Sequence, residues 1–284
     1  MNATPVVVIP VFNAAEQVER CLLAVRATVA PTTPVIVIDD ASSDPRIEQI
    51  LAVRTDGWKV HRQSSNRGFV ATANRGMQEA GDRDVVLLNS DTVPAGDWLG
   101  CLARCADSDP AIASITPFTN NGEIASLPAF CRASPIPADP ETWARACREA
   151  GPPSYPDIPT AVGFCMFLRR ACIAHIGGFD ERAFGRGYGE ENDWSRRAAD
   201  AGWRNVLCDD AYVAHEGNAS FGPLGLGPDE NAMRVLLARH PDYLAIVQEF
   251  IDRDPLADTR ARVMRQLEYQ DASVRPACSD PGSA

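Results

Sequence analysis

Three polar stretches in this sequence follow apolar runs and carry side chains that could bind a ligand. Asp39 and Asp40 follow PVIVI, Asn66 and Arg67 follow the short run WKVH and its loop, and Asp91 follows VVLLNS. A carboxylate in such a place could accept hydrogen bonds from a nucleobase or a ribose, or could hold a divalent cation. The alternative is a turn or a helix cap, where Asn, Ser and Asp are common. No single stretch decides between these interpretations.

A separate acidic cluster, GYGEENDW, places Glu190, Glu191 and Asp193 within one stretch that has helical character. A carboxylate here could act as a general base toward a hydroxyl group. Acids in the first turn of a helix also interact favourably with the helix dipole, so a capped helix start is the alternative. The glycines on both sides of Tyr188 favour a backbone that turns the acids into a cleft.

His215 closes the strand-like stretch AYVAH. A single histidine is more often structural than a metal ligand, and Asp91 alone would be an incomplete metal site. Hard divalent cations that bind together with a diphosphate take few protein ligands, however, and an imidazole ligand favours Mn²⁺. Asp91 and His215 are therefore the candidate ligands for a divalent metal, Mn²⁺ or Mg²⁺.

The first 117 residues provide a scaffold that could bring these strand ends together. Apolar strand-like runs alternate with amphipathic helical stretches, which is typical of an α/β fold with a mostly parallel, Rossmann-like sheet and helices on both faces. The carboxyl ends of parallel strands lie along one edge of the sheet, so the polar stretches converge there. The first strand ends in PVFN, without a dinucleotide-binding glycine turn, and the chain has no P-loop motif. A nicotinamide oxidoreductase is therefore disfavoured, and a P-loop enzyme is excluded.

Beyond residue 117 the sequence becomes rich in loops before it turns helical. We predict an α/β half over 1–117, a second half of the same domain over 118–227, a helical appendage over 228–270 and a disordered tail over 271–284. The appendage could dock on a partner or a membrane surface, but packing against the core is the simpler interpretation.

Composition indicates which classes of ligand and which cell compartment to expect. The chain has 284 residues and a net charge of −11, which argues against nucleic acid as a ligand. We find no run long enough to span a bilayer, and the opening residues lack a basic n-region, so we expect no signal peptide. The nine cysteines include no CxxC pair, and we expect them to be reduced and mostly buried, as in a cytosolic protein.

Taken together and in order, these motifs resemble the inverting nucleotide-sugar transferases of glycosyltransferase family 2, which have the GT-A fold. VVVIPVFN resembles the opening strand of that family, VIDDASSD its nucleoside-contacting acid segment, and NRGFVATAN its Asn-Arg-Gly helix. LLNSDTVP is similar to its metal-binding DXD region, GFDERAFGRGYGEENDW to its catalytic-base segment, and AYVAHEGNASFG to its late histidine strand. The helical ending is similar to that of bacterial members assigned to surface-polysaccharide or O-antigen assembly.

The resemblance implies a role for each matching residue. Glu191 would be the general base with Glu190 beside it, and Asp91 and His215 would contact the metal and the diphosphate. Asn89 departs from the family pattern, because an amide stands where the first acid of DXD is expected. The donor-binding residues would be Pro10, Phe12, Asn13, Asp39, Asp40, Asn66, Arg67, Asn89, Ser90 and Gly163.

The implied activity is transfer of a sugar from a nucleoside-diphosphate sugar (UDP, dTDP or GDP) to a hydroxyl of a glycan or lipid-linked acceptor. We expect the enzyme in the cytoplasm, with peripheral association at the inner face of the membrane, in bacterial surface-polysaccharide synthesis. Two alternatives remain open at this point. A sugar-phosphate nucleotidyltransferase uses a similar sheet, although PVFNAAEQ lacks the glycine-rich basic loop of those enzymes. A non-catalytic nucleotide-sugar-binding module could also have kept the fold.

Overall fold

The computed structural model describes residues 4–185, 187–217 and 230–274. The strands are β1 Val6–Val11, β2 Val35–Asp39, β3 Lys59–Arg62, β4 Val85–Leu88, β5 Thr92–Pro94, β6 Ile112–Phe118, β7 Cys165–Leu168 and β8 Arg204–His215. The helices are α1 Ala15–Thr28, α2 Pro45–Arg54, α3 Phe69–Glu79, α4 Trp98–Ser108, α5 Pro140–Glu149, α6 Arg170–Ile176, α7 Glu181–Phe184, α8 Glu190–Asp200, α9 Glu230–Arg239, α10 Tyr243–Arg253 and α11 Ala257–Val274.

The strands form one sheet in the order β3-β2-β1-β4-β7-β6-β8-β5. β1 to β4 pair in parallel, as the alternation of strands and helices predicts, and β6 and β8 form a second parallel pair. β7 runs antiparallel between β4 and β6, and β5 is an antiparallel edge strand on β8. The predicted α/β class with a mostly parallel sheet is confirmed.

Helices cover both faces of the sheet because its central strands are apolar on both sides. In β1, Val7 and Ile9 contribute to the core under α1, α2 and α4, whereas Val6 and Val8 contribute to the core under α3 and α8. Each fully buried side chain of this kind contributes about 1.5–3 kcal/mol. The α3 contact is close: a Cβ added to Gly76 would lie 2.2 Å from Cγ1 of Val8, so only glycine fits there.

The residues expected to cap helices and form strands do so only in part. Asp44 caps α2 by accepting from Arg46 N, and Pro45 lies in the first turn, a position that suits proline. Asn13 stands just before the helical stretch of α1, and asparagine is a favoured N-cap. The expectation that it caps α1 is wrong, because Ala14 holds that position without a side-chain hydrogen bond. The strand-like runs RNVLC and AYVAH, which the sequence separates by Asp209 and Asp210, belong to one twelve-residue strand, β8.

The described residues of the predicted helical appendage form α9, α10 and α11, which short turns connect, and they pack against the rest of the chain. α11 packs against α5, and α9 packs against α7 and α8. The contact between α9 and α8 includes Asp193, which is fully buried and accepts from Arg197 Nε at 2.8 Å, Arg239 Nη1 at 3.2 Å and His240 Nε2 at 3.1 Å. This pairing compensates the cost of burying the charge.

Two further sequence expectations concern membranes and thiols. No helix among the described residues is long and apolar enough to cross a bilayer. Seven of the eight cysteines in the described part of the chain are buried, and Cys131 is exposed. Residues 271–274 continue α11, and the rest of the predicted tail, 275–284, lies outside the described residues.

Candidate active site

A cavity of about 350 Å³ opens where β1, β2 and β4 end and where α8 begins. This is the place at which open α/β sheets bind ligands. Eleven of the predicted site residues line it: Pro10, Phe12, Asp40, Asn66, Asn89, Ser90, Asp91, Gly163, Glu190, Glu191 and His215. The convergence of strand ends inferred from the sequence therefore brings together residues that are far apart in the chain.

Asp40 organises the loop that follows β3. Its carboxylate accepts from the backbone N–H of Arg67 and of Gly68, each at 2.8 Å, and from Nε2 of Gln63 at 2.8 Å. Burial raises the pKa of Asp40, and the two backbone N–H groups partly offset that rise. The carboxylate thus fixes the backbone of 66–68, which leaves Asn66 and Gly68 on the cavity wall.

Three predicted donor-binding residues do not line the cavity. The side chain of Asn13 accepts from the backbone N–H of residues 43 and 44, at 2.9 and 3.1 Å, and so ties the end of β1 to the end of β2. Asp39 is fully buried and accepts from Ser42 N. Arg67 places its guanidinium 3.3 Å from Glu181 on α7. In this structure all three support the walls of the cavity.

The turn after β4 sets the position of Asp91. The carbonyl of Asn89 accepts from the backbone N–H of Thr92 at 3.2 Å and from its hydroxyl at 2.7 Å, which closes a tight turn. Ser90 and Asp91 lie within that turn and are nearly buried. Asn89 lines the cavity beside them, so the amide that departs from the family pattern still faces the site.

Asp91 and His215 form the cavity's candidate cation site. His215 Nε2 lies 3.5 Å from Oδ1 of Asp91. The other ring nitrogen, Nδ1, lies 2.7 Å from the carbonyl oxygen of Asn121. Burial lowers the pKa of His215, but the hydrogen bond and the charge of Asp91 raise it by more, and the net shift is upward.

These contacts fit a divalent cation. A carbonyl oxygen can only accept, so Nδ1 of His215 carries a proton, and Nε2 turns its lone pair toward Asp91 when the ring is neutral. Two lone-pair atoms that face each other favour a proton or a cation between them. The described residues hold no cluster of three His, Cys, Asp or Glu side chains suited to a metal, so two protein ligands would share the ion with a substrate.

Glu190 and Glu191 lie at the first turn of α8. Gly189 precedes them with φ 96°, and Tyr188 has φ 70°, so the backbone reverses sharply into the helix. Both carboxyl groups line the cavity, and a Cβ added to Gly163 would lie 3.8 Å from the carboxyl carbon of Glu191. Gly163 therefore keeps space open in front of Glu191.

The two glutamates differ from Asp40 in their hydrogen bonding. Oε2 of each is buried and has no hydrogen-bond partner among the described residues. Burial raises the pKa of Glu191 to about 7. Burial and then the charge of Glu191 hold the pKa of Glu190 well above its usual value. Glu191 is the partly accessible member of the pair, so it is the one that can exchange a proton with a ligand.

Sequence reasoning missed several residues of the cavity wall. Asn121, Gly122 and Glu123 enter it from the loop after β6, and Glu123 adopts φ 48°. Its charge contributes to the raised pKa of Glu191. The one available signal was the polar run TNNGE after an apolar strand, which repeats the pattern of the other strand ends.

Comparison with known families decides what this site belongs to. The model of the family described as glycosyl transferase family 2 matches residues 6–177. The chain belongs to that family. It is a glycosyltransferase, and this membership decides against the nucleotidyltransferase and the non-catalytic module. The match includes β1 to β7 but ends before α8 and its two glutamates.

Curated relatives of this glycosyltransferase are distant. Over 251 residues it is 25% identical to an N-acetylglucosaminyl-diphospho-decaprenol L-rhamnosyltransferase of Mycobacterium tuberculosis, and the match covers 78% of each chain. It is 24% identical over 225 residues to the glycosyltransferase AglE of Haloferax volcanii, which covers 77% of this chain and 68% of AglE.

Solved structures share the fold. GalNAc-T7, crystallised with UDP, GalNAc and Mn²⁺, has a TM-score of 0.61 and 16% identity; the match covers 96% of this chain, which spans 58% of that one. Residues 1–349 of S. aureus TarS, in complex with UDP-GlcNAc, have a TM-score of 0.59 and 16% identity, covering 88% of this chain and 72% of TarS. The fold of this glycosyltransferase is the GT-A fold, as the motifs predict.

Proposed function

We propose that this glycosyltransferase moves a sugar from a nucleoside-diphosphate sugar to a hydroxyl of a glycan or lipid-linked acceptor, with inversion at the anomeric carbon. One observation carries the proposal: Asp40, Asp91 and Glu191, from three separate parts of the chain, line one cavity. In this proposal a nucleoside would lie against the strand ends, a diphosphate beside Asp91, and the sugar between Asp91 and Glu191.

The chemistry at Glu191 is proton removal. The acceptor oxygen forms a bond to the anomeric carbon as the bond from that carbon to the diphosphate oxygen breaks. The hydroxyl proton passes to Glu191, and the electron pair of the broken bond leaves with the nucleoside diphosphate. A base acts best when its pKa is near the working pH, and burial brings Glu191 into that range.

The negative charge that develops on the leaving diphosphate must be neutralised by a positive charge. The described residues that line the cavity include five carboxylates and neither lysine nor arginine. Asp91 and His215 would hold a divalent cation, which supplies Lewis-acid neutralisation of the leaving diphosphate. The GalNAc-T7 structure, which contains UDP and Mn²⁺, supports a metal in this role.

The relatives support a lipid-linked acceptor. The mycobacterial relative is named for a diphospho-decaprenol substrate, and such acceptors lie at a membrane surface. We extend the proposal to bacterial surface-polysaccharide synthesis, with the enzyme in the cytoplasm at the inner face of the membrane. A cell fractionation that found the native enzyme away from the membrane, together with activity on soluble glycans alone, would contradict this extension.

The donor is identified first by binding and then by turnover. Calorimetry with UDP, dTDP and GDP, each with and without Mn²⁺ or Mg²⁺, should show one nucleotide that binds more tightly with metal. Sugar nucleotides of that base should then release the nucleoside diphosphate, slowly with water and faster with acceptor. NMR of the product should show the inverted anomer. Release of pyrophosphate from a nucleoside triphosphate and a sugar phosphate, or a product of retained configuration, would contradict the proposal.

A further inference from the structure

Two consecutive asparagines, Asn120 and Asn121, hold His215 in place. Asn120 is buried, with 2% of its surface exposed. Its Oδ1 accepts from the backbone N–H of His215 at 2.8 Å, and its Nδ2 donates to the carbonyl of the same residue at 2.9 Å. A single side chain therefore pairs with both backbone groups of His215, as a neighbouring strand would. This fixes where β8 ends.

Asn121 fixes the ring rather than the backbone. Its carbonyl oxygen accepts from Nδ1 of His215 at 2.7 Å. Its side chain donates to the carbonyl of Glu216 at 3.0 Å, which holds the chain just after the histidine. On the other side the ring stacks on Phe164, with 5.2 Å between centroids and 20° between planes. The imidazole is thus restrained in position, tilt and tautomer.

The restraint has a chemical consequence at Nε2. In water the neutral imidazole of histidine exchanges its proton between the two nitrogens, so either can carry the lone pair. With Nδ1–H donated to Asn121, the lone pair of the neutral ring lies on Nε2, which faces Asp91. Metal-ligating histidines commonly donate their other ring N–H to a carbonyl or a carboxylate in this way.

We propose that Asn120 and Asn121 are positioning residues that prepare His215, before any substrate enters, to present Nε2 to a divalent cation beside Asp91. The inference rests on the proposed function, since it concerns the cation site of the same transfer reaction. It adds a role for a loop, the segment after β6, that the sequence motifs do not include.

The tautomer of His215 can be measured without metal or substrate. A two-bond ¹H–¹⁵N correlation spectrum of the metal-free protein, recorded in alkaline buffer where the ring is neutral, should show His215 protonated at Nδ1. The chain has four histidines, so the His215→Gln spectrum assigns the signal by difference. A proton on Nε2, or a rapid mixture of the two tautomers, would overturn the proposal.

The variant Asn120→Ala tests the positioning itself. Titration with Mn²⁺ alone, followed by the EPR signal of the free ion, should show Mn²⁺ affinity about 10–100-fold lower than in the unaltered protein, the usual effect of removing a residue that orients a ligand. The matched control is Asn205→Ala. Asn205 is equally buried on β8, donates to Ser195 O at 3.0 Å and accepts from Ser114 Oγ at 2.7 Å.

The control separates positioning from stability. Both variants should lower the free energy of unfolding, but Asn205→Ala should keep the tautomer and the Mn²⁺ affinity. Equal Mn²⁺ affinity in Asn120→Ala and the unaltered protein, or no Mn²⁺ binding by the unaltered protein, would overturn the proposal. These readouts need no turnover. If they come out as expected in a protein that transfers no sugar, the proposed function fails and this inference stands.

Discussion

The two walls of the cavity differ in how the carboxylates that line them are hydrogen-bonded. On the wall made by strand ends, Asp40 accepts three hydrogen bonds at 2.8 Å, and Asp91 lies against His215. On the wall made by α8, Glu190 and Glu191 each bury an oxygen that has no hydrogen-bond partner among the described residues. We call these the strand-end wall and the helix wall.

The difference teaches how one cavity can both bind and react. Burial raises the pKa on both walls, but N–H donors at Asp40 favour its ionised form and partly offset the rise. At the helix wall, burial raises the pKa of Glu190 and Glu191 by more than backbone hydrogen bonds lower it. Both carboxylates therefore bind a proton more tightly. The carboxylate of Asp40 on the strand-end wall therefore fixes the backbone around the cavity, whereas the glutamates of the helix wall can exchange a proton.

The largest expected effect is the loss of the base. Glu191→Gln should lower kcat by about 10²–10⁴-fold, because the acceptor proton then has no carboxylate to receive it. Binding of the nucleotide with metal, measured by calorimetry, should be unchanged. Glu190→Gln is the matched control and should lose less activity. Normal turnover in Glu191→Gln with an inactive Glu190→Gln would shift the base by one residue.

The next largest effect is a loss of stability at Asp193, and it tests whether α8 tolerates unpaired carboxylates along its whole length. Asp193 is three residues beyond Glu190, and its carboxylate accepts from Arg197, Arg239 and His240. Asp193→Ala should lower the free energy of unfolding by about 3–5 kcal/mol, because Arg197 and His240 then lose their buried partner. Urea denaturation measures this. Asp200→Ala, on the same helix with 59% of its side chain exposed, should cost less than about 1 kcal/mol. Equal effects would show that the buried pairing is unimportant.

On the strand-end wall, Asp40→Ala should lower the free energy of unfolding by about 3 kcal/mol. The reason is that the N–H groups of Arg67 and Gly68 and the amide of Gln63 lose their acceptor together. Nucleotide binding should weaken too, since Asn66 is held by the same loop. Thermal unfolding and calorimetry measure the two effects. A variant as stable as the unaltered protein would contradict the supporting role of Asp40.

The smallest effect is a dependence of stability on pH. The folded pKa of Glu191 lies near 7, above its usual 4.5, so the folded state binds the proton more tightly than the unfolded state does. Glu191 should therefore contribute stability at pH below about 4.5 that is lost as the pH rises toward 7. Comparing urea denaturation of the unaltered protein with Glu191→Gln across this range isolates the effect. No difference in slope would contradict it.

The fold was more accessible from the sequence than the details of the site. Apolar runs locate β1, β2 and β4, because these strands are buried along their whole length. Amphipathic stretches locate α1 to α4. The short β3 is an exposed edge strand, and its apolar signal is weaker. The antiparallel direction of β7 could not be predicted, since CMFL carries no information about its partners. β5, α6 and α7 are too short for periodicity to reveal.

Within the site, the sequence indicated the residues that follow strands or belong to motifs. It did not indicate residues that only the tertiary fold brings close to the site. Asp91 and Glu191 follow from their motifs. Asn120 and Glu123 do not, because only the path of the loop after β6 brings them near His215 and Glu191. Asn13 and Arg67 show the reverse error: both were predicted to contact the donor, but neither lines the cavity. The side chain of Asn13 bonds to the loop after β2, and that of Arg67 pairs with Glu181 on α7.

The measurement that tests the helix wall most directly is the pH dependence of kcat/KM for sugar transfer. The base must be ionised, so kcat/KM should be constant above pH about 7 and fall about tenfold for each pH unit below it. This acidic limb should disappear from the residual activity of Glu191→Gln. A limb that lies instead at the ordinary glutamate value of 4.5, or that persists unchanged in Glu191→Gln, would contradict the account.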